Sequence, residues 1–313
     1  MPRYALALIL LARPTISRIQ KVDDRDYKLG VNVELVQLPV SVLDKKGMPI
    51  RGLSQEDFSV YENKIRQDIS LFKQEDIPLS VGLVVDASSS MYKKRDRLNL
   101  AAMTFVQESN PQDETSVISF ADGVNLEQEF TANPDDLRYA LNRIQSIGKT
   151  ALYDAIYLAA QHLKDEAVHD KRVLLVMTDG DGDNQSKLKL KQILALLRES
   201  HIIVYTVGLL SVEDEGGGGF ALKQIAEAGG GAAFFPRNAR DVEEVCRRIA
   251  RDLRNQYTIG YRPSNETMDG SWRKIQVQVN PPKTIAKFTV RTKKGYYAAK
   301  VHETQVASER TIK

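Results

Sequence analysis

Two unbroken apolar runs constrain this chain more than any other feature. Val81-Gly82-Leu83-Val84-Val85 ends in Asp86, and Val173-Leu174-Leu175-Val176-Met177 ends in Thr178-Asp179. Runs of this length without polar alternation suit strands covered on both faces, as parallel strands in α/β domains are. Around them, helical and strand patterns alternate. Leu98, Ala101, Ala102, Phe105 and Val106 share one helical face, and Thr115 to Phe120 reads as a strand. Phe130 opens a turn into a helix with Asn133 as N-cap, Pro134 at its first position and Leu137, Leu141 and Ile144 on its apolar face. Further helices are expected with Leu152, Ile156, Ala159, Ala160 and Leu163, and over 188 to 198, 221 to 228 and 242 to 253, with strands at 202 to 207 and 232 to 235. Such alternation over about 170 residues predicts one doubly wound, mostly parallel α/β sheet spanning 79–255. Ligands of such sheets bind beyond the carboxyl ends of the strands, where strand order reverses, and Asp86 and Asp179 both stand at such ends.

The flanks read differently. From Val31 to Leu43 apolar residues alternate, and Phe58 to Glu62 and Asp68 to Phe72 read as two short strands around an Asn63-Lys64 turn. At the other end, Tyr257 to Tyr261, Arg273 to Val279, Lys287 to Thr292 and Gly295 to Tyr297 are strand-like. Neither flank has strands enough to bury a core alone, so 31–78 and 256–298 are expected to form one β-sandwich into which the α/β domain is inserted. Residues 1–30 make an N-terminal apolar segment and a polar linker, and 299–313 a tail. The run Tyr4 to Ala12 behind Arg3 suits an export signal and is too short to span a membrane. No small-x-small cleavage site follows it, so a plain apolar N-terminus stays open. The expected location is extracytoplasmic, periplasmic or secreted, with a cytoplasmic location the alternative.

Composition narrows the function. Lys and Arg number 44 against 41 Asp and Glu, a net charge of only +3, so no basic footprint points to nucleic acid. A single cysteine rules out an intrachain disulfide, and the four histidines have no zinc spacing. Cys246 falls on an apolar helical face with Val242, Val245, Ile249 and Leu253, as a core thiol would.

Asp86, Ser88 and Ser90 form D-x-S-x-S. Alternate positions of a loop leaving a strand can aim three hard oxygens at one point, a donor set suited to Mg²⁺. The plainer reading is a serine-rich turn capping the next helix. Here the sequence resembles the von Willebrand factor type A family, whose metal-ion-dependent adhesion site opens with D-x-S-x-S. In that family a threonine before a helix and an aspartate after a later apolar strand complete the site. Thr150, in G-K-T-A-L-Y-D-A-I, and Asp179, in T-D-G, match those places, while Lys149 stands where many members carry glycine. The flanks, with V-E-L-V-Q-L-P-V-S-V-L-D-K-K-G, E-D-F-S-V-Y-E-N and N-Q-Y-T-I-G-Y-R-P, resemble a bacterial subgroup of that family. The resemblance implies a non-enzymatic protein-binding module that holds Mg²⁺, or Mn²⁺ or Ca²⁺, through Asp86, Ser88, Ser90, Thr150 and Asp179. An acidic side chain of a partner protein would complete the coordination.

Rival chemistries fit less well. Gly148-Lys149-Thr150 resembles the end of a phosphate loop, but Arg143 stands where its first glycine belongs and a helix precedes it. A Mg²⁺-dependent hydrolase or phosphotransferase using Asp86 as nucleophile is the alternative function, although Ser88 stands where such a site wants a second acid. No G-x-S-x-G elbow is present, and the motif loops offer no general base other than Lys149. Asp179, Asp181 and Asp183 have the spacing of a calcium loop, yet the nearest downstream glutamate is Glu199, so Asp181 and Asp183 are read as solvated. Asp122 is read as a turn residue in preference to a support of the site. Gly216 to Gly219 is read as a mobile rim or a linker.

Overall fold

The computed structural model describes residues 35–179, 185–209, 218–280 and 287–300. The expectations for 1–30, Asp181, Asp183, Gly216, Gly217, the Pro281-Pro282 break and the residues after Lys300 lie outside them. In chain order the elements are β1 (Val36–Asp44), β2 (Phe58–Glu62), β3 (Ile65–Gln67), β4 (Ile69–Lys73), β5 (Leu79–Asp86), α1 (Arg95–Glu108), β6 (Glu114–Phe120), β7 (Val124–Thr131), α2 (Pro134–Arg143) and α3 (Leu152–Glu166). They continue with β8 (Lys171–Thr178), α4 (Leu190–Glu199), β9 (Ile202–Gly208), α5 (Gly218–Ala228), β10 (Ala233–Phe234), α6 (Ala239–Leu253), β11 (Tyr257–Tyr261), β12 (Trp272–Val279), β13 (Phe288–Arg291) and β14 (Gly295–Tyr297). Among the described residues no helix is long and apolar enough to cross a membrane.

The central sheet has the order β10-β9-β8-β5-β6-β7, parallel except for β7. Every residue of β5 is buried, which explains its lack of polar alternation. Leu79, Val81, Leu83 and Val85 face α1, α2 and α6, whereas Val84 joins the cluster of α3, α4 and α5. The chain moves from β5 through β6 to β7, then returns to the other side of β5 for β8. The reversal therefore lies at the carboxyl ends of β5 and β8, where Asp86 and Asp179 sit.

Strands from both flanks share two further sheets, ordered β13-β1-β11-β4 and β14-β12-β2-β3. Leu38, Val40, Val42, Phe58 and Val60 from one flank pack with Tyr257, Ile259, Tyr261, Ile275 and Val279 from the other. Buried Glu62 accepts hydrogen bonds from Tyr261 (2.8 Å) and Tyr296 (2.9 Å), which supply the donors a buried carboxylate needs.

Of the strand or bent pair that the alternation near 31–43 allows, the described residues form one strand, β1. Other readings of the sequence change. The Asn63-Lys64 turn, with φ of 48° and 72°, pairs β2 with β3, while β4 crosses into the other sheet and does not pair with β2. The stretch before Phe130 is strand β7, and Gly218 and Gly219 begin α5. At the C-terminal end, Asp269 bridges Lys300, so the first two residues assigned to the tail are pinned to the fold. Cys246 is buried as expected, and burial pushes its thiol up to about 12, which makes it a poor nucleophile.

Two lysines, Lys293 buried and Lys171 half-buried, lie where the central sheet meets the flanking strands. Lys171 donates to Leu253 O, and Lys293 donates to Leu197 O (3.3 Å) and to Ser200 O at the end of α4. Burial lowers each to about 8, with Asp252, Asp113 and Asp76 partly offsetting this at Lys171. A base whose folded value lies below its unfolded value of 10.5 costs stability while charged. That cost is full below pH 8 and is recovered as pH rises from 8 towards 10.5. Above pH 10 the trend reverses, because burial raises Tyr205, Tyr261 and Tyr296 and the unfolded chain ionises first. Urea unfolding should therefore show stability rising by about 2 kcal/mol between pH 8 and 9.5. Lys293→Met should roughly halve that rise, and an unchanged slope in the variant would contradict the assignment.

Candidate metal centre

Asp86 closes β5 with no exposed surface. Its Oδ1 accepts the Ser88 N–H (2.8 Å) and its Oδ2 the Thr178 hydroxyl (2.6 Å). Its main-chain oxygen accepts Arg95 Nη2–H at 2.6 Å, and Ser146 Oγ holds the same guanidinium at 2.9 and 3.1 Å. Burial pushes the Asp86 carboxyl above its ordinary value, the bonds from Thr178 and Ser88 pull it back, and the Asp179 carboxylate adds to the rise. Asp86 thus sits in a water-poor setting beside the Asp179 carboxylate, where a bound cation would favour its charged form.

The serines leave the strand in a 3₁₀ turn over Ser89–Met91, and Ser88 makes no side-chain capping bond to it. Lys94 occupies the N-cap of α1, so the D-x-S-x-S hydroxyls do not cap that helix. Ser88 Oγ lies 3.0 Å from Ser90 Oγ; Ser88 is buried and Ser90 exposed. Thr150 is buried in the loop before α3, and that loop is fastened to the serine turn. Ile147 N–H donates to Ala87 O (2.9 Å), Ser89 N–H donates to Gly148 O (3.0 Å), and Gly148 N–H donates to Ser89 Oγ (3.0 Å). Gly148 has φ of +102°, and a Cβ there would come within 2.8 Å of the Asp122 carboxylate, which accepts the Lys149 N–H at 2.8 Å. Asp122 therefore supports the loop, correcting its reading as a plain turn residue. The exposed Lys149 side chain stands at the rim.

Asp179 follows β8 directly, with a side chain 2% exposed. Its Oδ2 accepts Lys94 Nζ–H at 3.0 Å, whereas its Oδ1 is buried with no hydrogen-bond partner among the described residues. A buried carboxylate oxygen left without a donor is costly unless a cation takes it. Among the described residues no three His, Cys, Asp or Glu side chains form a metal cluster, so an ion here would rest on two carboxylates and hydroxyls. That set of hard oxygens fits Mg²⁺, which keeps several waters and takes few carboxylates.

Several supporting residues went unseen in the sequence. Thr178 stands in T-D-G with nothing in the sequence to give it a role, and Ser89, Arg95 and Ser146 carry no spacing signal. Lys94 corrects the expectation that Lys149 is the only lysine of the motif loops. Beyond the acidic segment, Gln185 N–H donates to Thr150 O (3.1 Å) and Asp154 accepts Lys187 N–H and Leu188 N–H, both at 3.0 Å, so α3 steadies the returning chain.

Residues 81–181 match the family model described as the von Willebrand factor type A domain. Among solved structures, BatB from Bacteroides thetaiotaomicron is 18% identical, covering 56% of this chain and 100% of that one with a TM-score of 0.46. A von Willebrand factor type A protein from Catenulispora acidiphila is 11% identical, covering 87% and 76%, with a TM-score of 0.47. The domain of the type V pili tip protein Mfa5 from Porphyromonas gingivalis is 18% identical, covering 33% and 38%, with a TM-score of 0.32. No curated protein matches the chain. The matched segment is the one that carries both strand-end aspartates and the threonine loop between them.

Proposed function

We propose that this chain is a non-enzymatic, metal-ion-dependent protein-binding module. Asp86, Ser88, Ser90, Thr150 and Asp179 hold Mg²⁺, or Mn²⁺ or Ca²⁺, and the ion accepts a carboxylate from an acidic side chain of a partner protein. The observation that carries this reading is the buried, partnerless Oδ1 of Asp179 in a site shared with the buried Asp86 carboxylate. Two carboxylates balance a divalent ion without exceeding its charge, and the hydroxyls add none, so an outside anionic oxygen remains an acceptable ligand. An extracytoplasmic location belongs to the same proposal.

The alternative in which Asp86 acts as a nucleophile draws less support, because Ser88 stands where such a site wants a second acid. A pull-down from native extract should capture a partner in Mg²⁺ and release it in EDTA. A phosphatase and nucleotide-hydrolysis assay on the same preparation should show no turnover. Metal-dependent turnover that Asp86→Ala removes, with no chelator-sensitive partner, would overturn the reading in favour of an enzyme.

A further inference from the structure

Lys94 is out of place by the ordinary rules of helix ends. It occupies the N-cap of α1, where Ser, Thr, Asp and Asn are favoured and where the helix dipole disfavours a cation. The site at the sheet end accounts for the exception. Lys94 Nζ donates to Asp179 Oδ2 at 3.0 Å and to Leu209 O at 3.4 Å. Leu209 is anchored beside the same strand end by its own N–H, which donates to Thr178 O at 2.8 Å. The Asp179 side chain is 2% exposed and the Lys94 side chain 38% exposed, so the ammonium reaches inward from a stem that stays in contact with solvent.

We propose that the Lys94 ammonium is a tethered competitor for the metal ion: it neutralises Asp179 in the metal-free protein and must leave that carboxylate when a divalent cation binds. This inference rests on the reading of Asp86 and Asp179 as metal ligands. A buried carboxylate needs a counter-charge, and an ammonium at hydrogen-bond distance supplies it. The same ammonium repels a divalent ion bound to the same carboxylate, because at such separations screening by water is weak. The two cations therefore exclude one another. The flexible four-carbon stem of lysine gives the displaced head a route back to solvent, whereas Arg95, fixed on the main chain of Asp86 and on Ser146, has none. Lys94 in consequence lowers the affinity for the ion while it stabilises the metal-free fold.

The test compares the full chain with Lys94→Met and Lys94→Gln by calorimetric titration with Mg²⁺ and with Mn²⁺, alongside urea unfolding in EDTA. Both variants should bind the ion about tenfold more tightly or better and unfold at lower urea in EDTA. In the unsubstituted protein, Lys94 should undergo reductive methylation faster in saturating Mg²⁺ than in EDTA, as read by peptide mass spectrometry. Equal affinity in all three proteins, or methylation of Lys94 that ignores Mg²⁺, would overturn the competitor role and leave the metal site standing. Absence of binding in the unsubstituted protein and in both variants would overturn the metal site and the competitor together.

Discussion

A chain ending at Asn255 should lose both flanking sheets while its central sheet survives. The cut removes β11, which lies between β1 and β4, and β12, which joins β2 to β14, together with β13 on the other side of β1. The remaining N-terminal strands are then a two-stranded β2–β3 hairpin and two strands without partners, fewer than a sheet needs to persist in water. Leu38, Val40, Val42, Phe58 and Val60 lose the cover of Tyr257, Ile259, Tyr261, Ile275 and Val279. The central sheet is better provided for. Its two apolar clusters draw their buried residues from between Leu79 and Leu253 and keep helices on both faces. Its loss is confined to the joint, where Asp252 would lose the 2.8 Å ion pair with Arg291 and the end of α4 would lose Lys293. Hydrogen exchange should therefore show residues 36–73 unprotected and 79–253 still protected, and a chain of residues 78–255 alone should fold cooperatively. A protected N-terminal sheet in the shortened chain would show that the two flanks do not depend on one another.

The elements legible in the sequence were those whose signal is local. β5 and β8 announce themselves because strands buried on both faces carry no polar alternation, and α2 because Asn133 caps it, its Oδ1 accepting the Asp135 N–H at 3.0 Å just ahead of Pro134. β7 lacks such a signal although Val124, Leu126 and Phe130 recur at even spacing. It is a half-exposed edge strand whose pairing with β6 shifts register twice, so the apolar positions do not mark one continuous buried face. The crossing of the chain between β3 and β4 at Asp68 was likewise invisible, since a strand's pattern says which face is buried and not which sheet receives it.

The site divides along the same line. The places of Asp86 and Asp179 at strand ends are legible because apolar runs mark the strands of a parallel sheet, and the place of Thr150 before α3 because a family pattern fixes its context. Lys94 could not, because its partner is 85 residues away and its own position at a helix start argues against a lysine. Ser89, Ser146 and Asp122 act by fastening one loop to another, which depends on the tertiary path of both.

On the proposed ligand set, the substitution Asp86→Ala is expected to abolish Mg²⁺ binding to the folded protein, weakening it by roughly 100-fold or more, since one of its two carboxylates is removed. Whether the fold tolerates the change depends on opposing effects. Ser88 N–H and the Thr178 hydroxyl lose their acceptor inside the protein, at a cost of about 1–3 kcal/mol for each buried donor that water does not reach. Against this, the variant no longer buries a carboxyl that desolvation pushes above its ordinary value, nor sets it beside Asp179. The net loss of stability in EDTA should be on the order of 1 kcal/mol, small beside the loss of binding. Asp86→Asn keeps the shape and an acceptor for one of the two donors while removing the charge, so it should bind as weakly as the alanine variant with a smaller change in urea midpoint. Titration calorimetry with Mg²⁺ and urea unfolding in EDTA, run on all three proteins, separate the two effects. Mg²⁺ affinity unchanged in either variant would remove Asp86 from the ligand set, and with it the metal-dependent reading of the whole constellation.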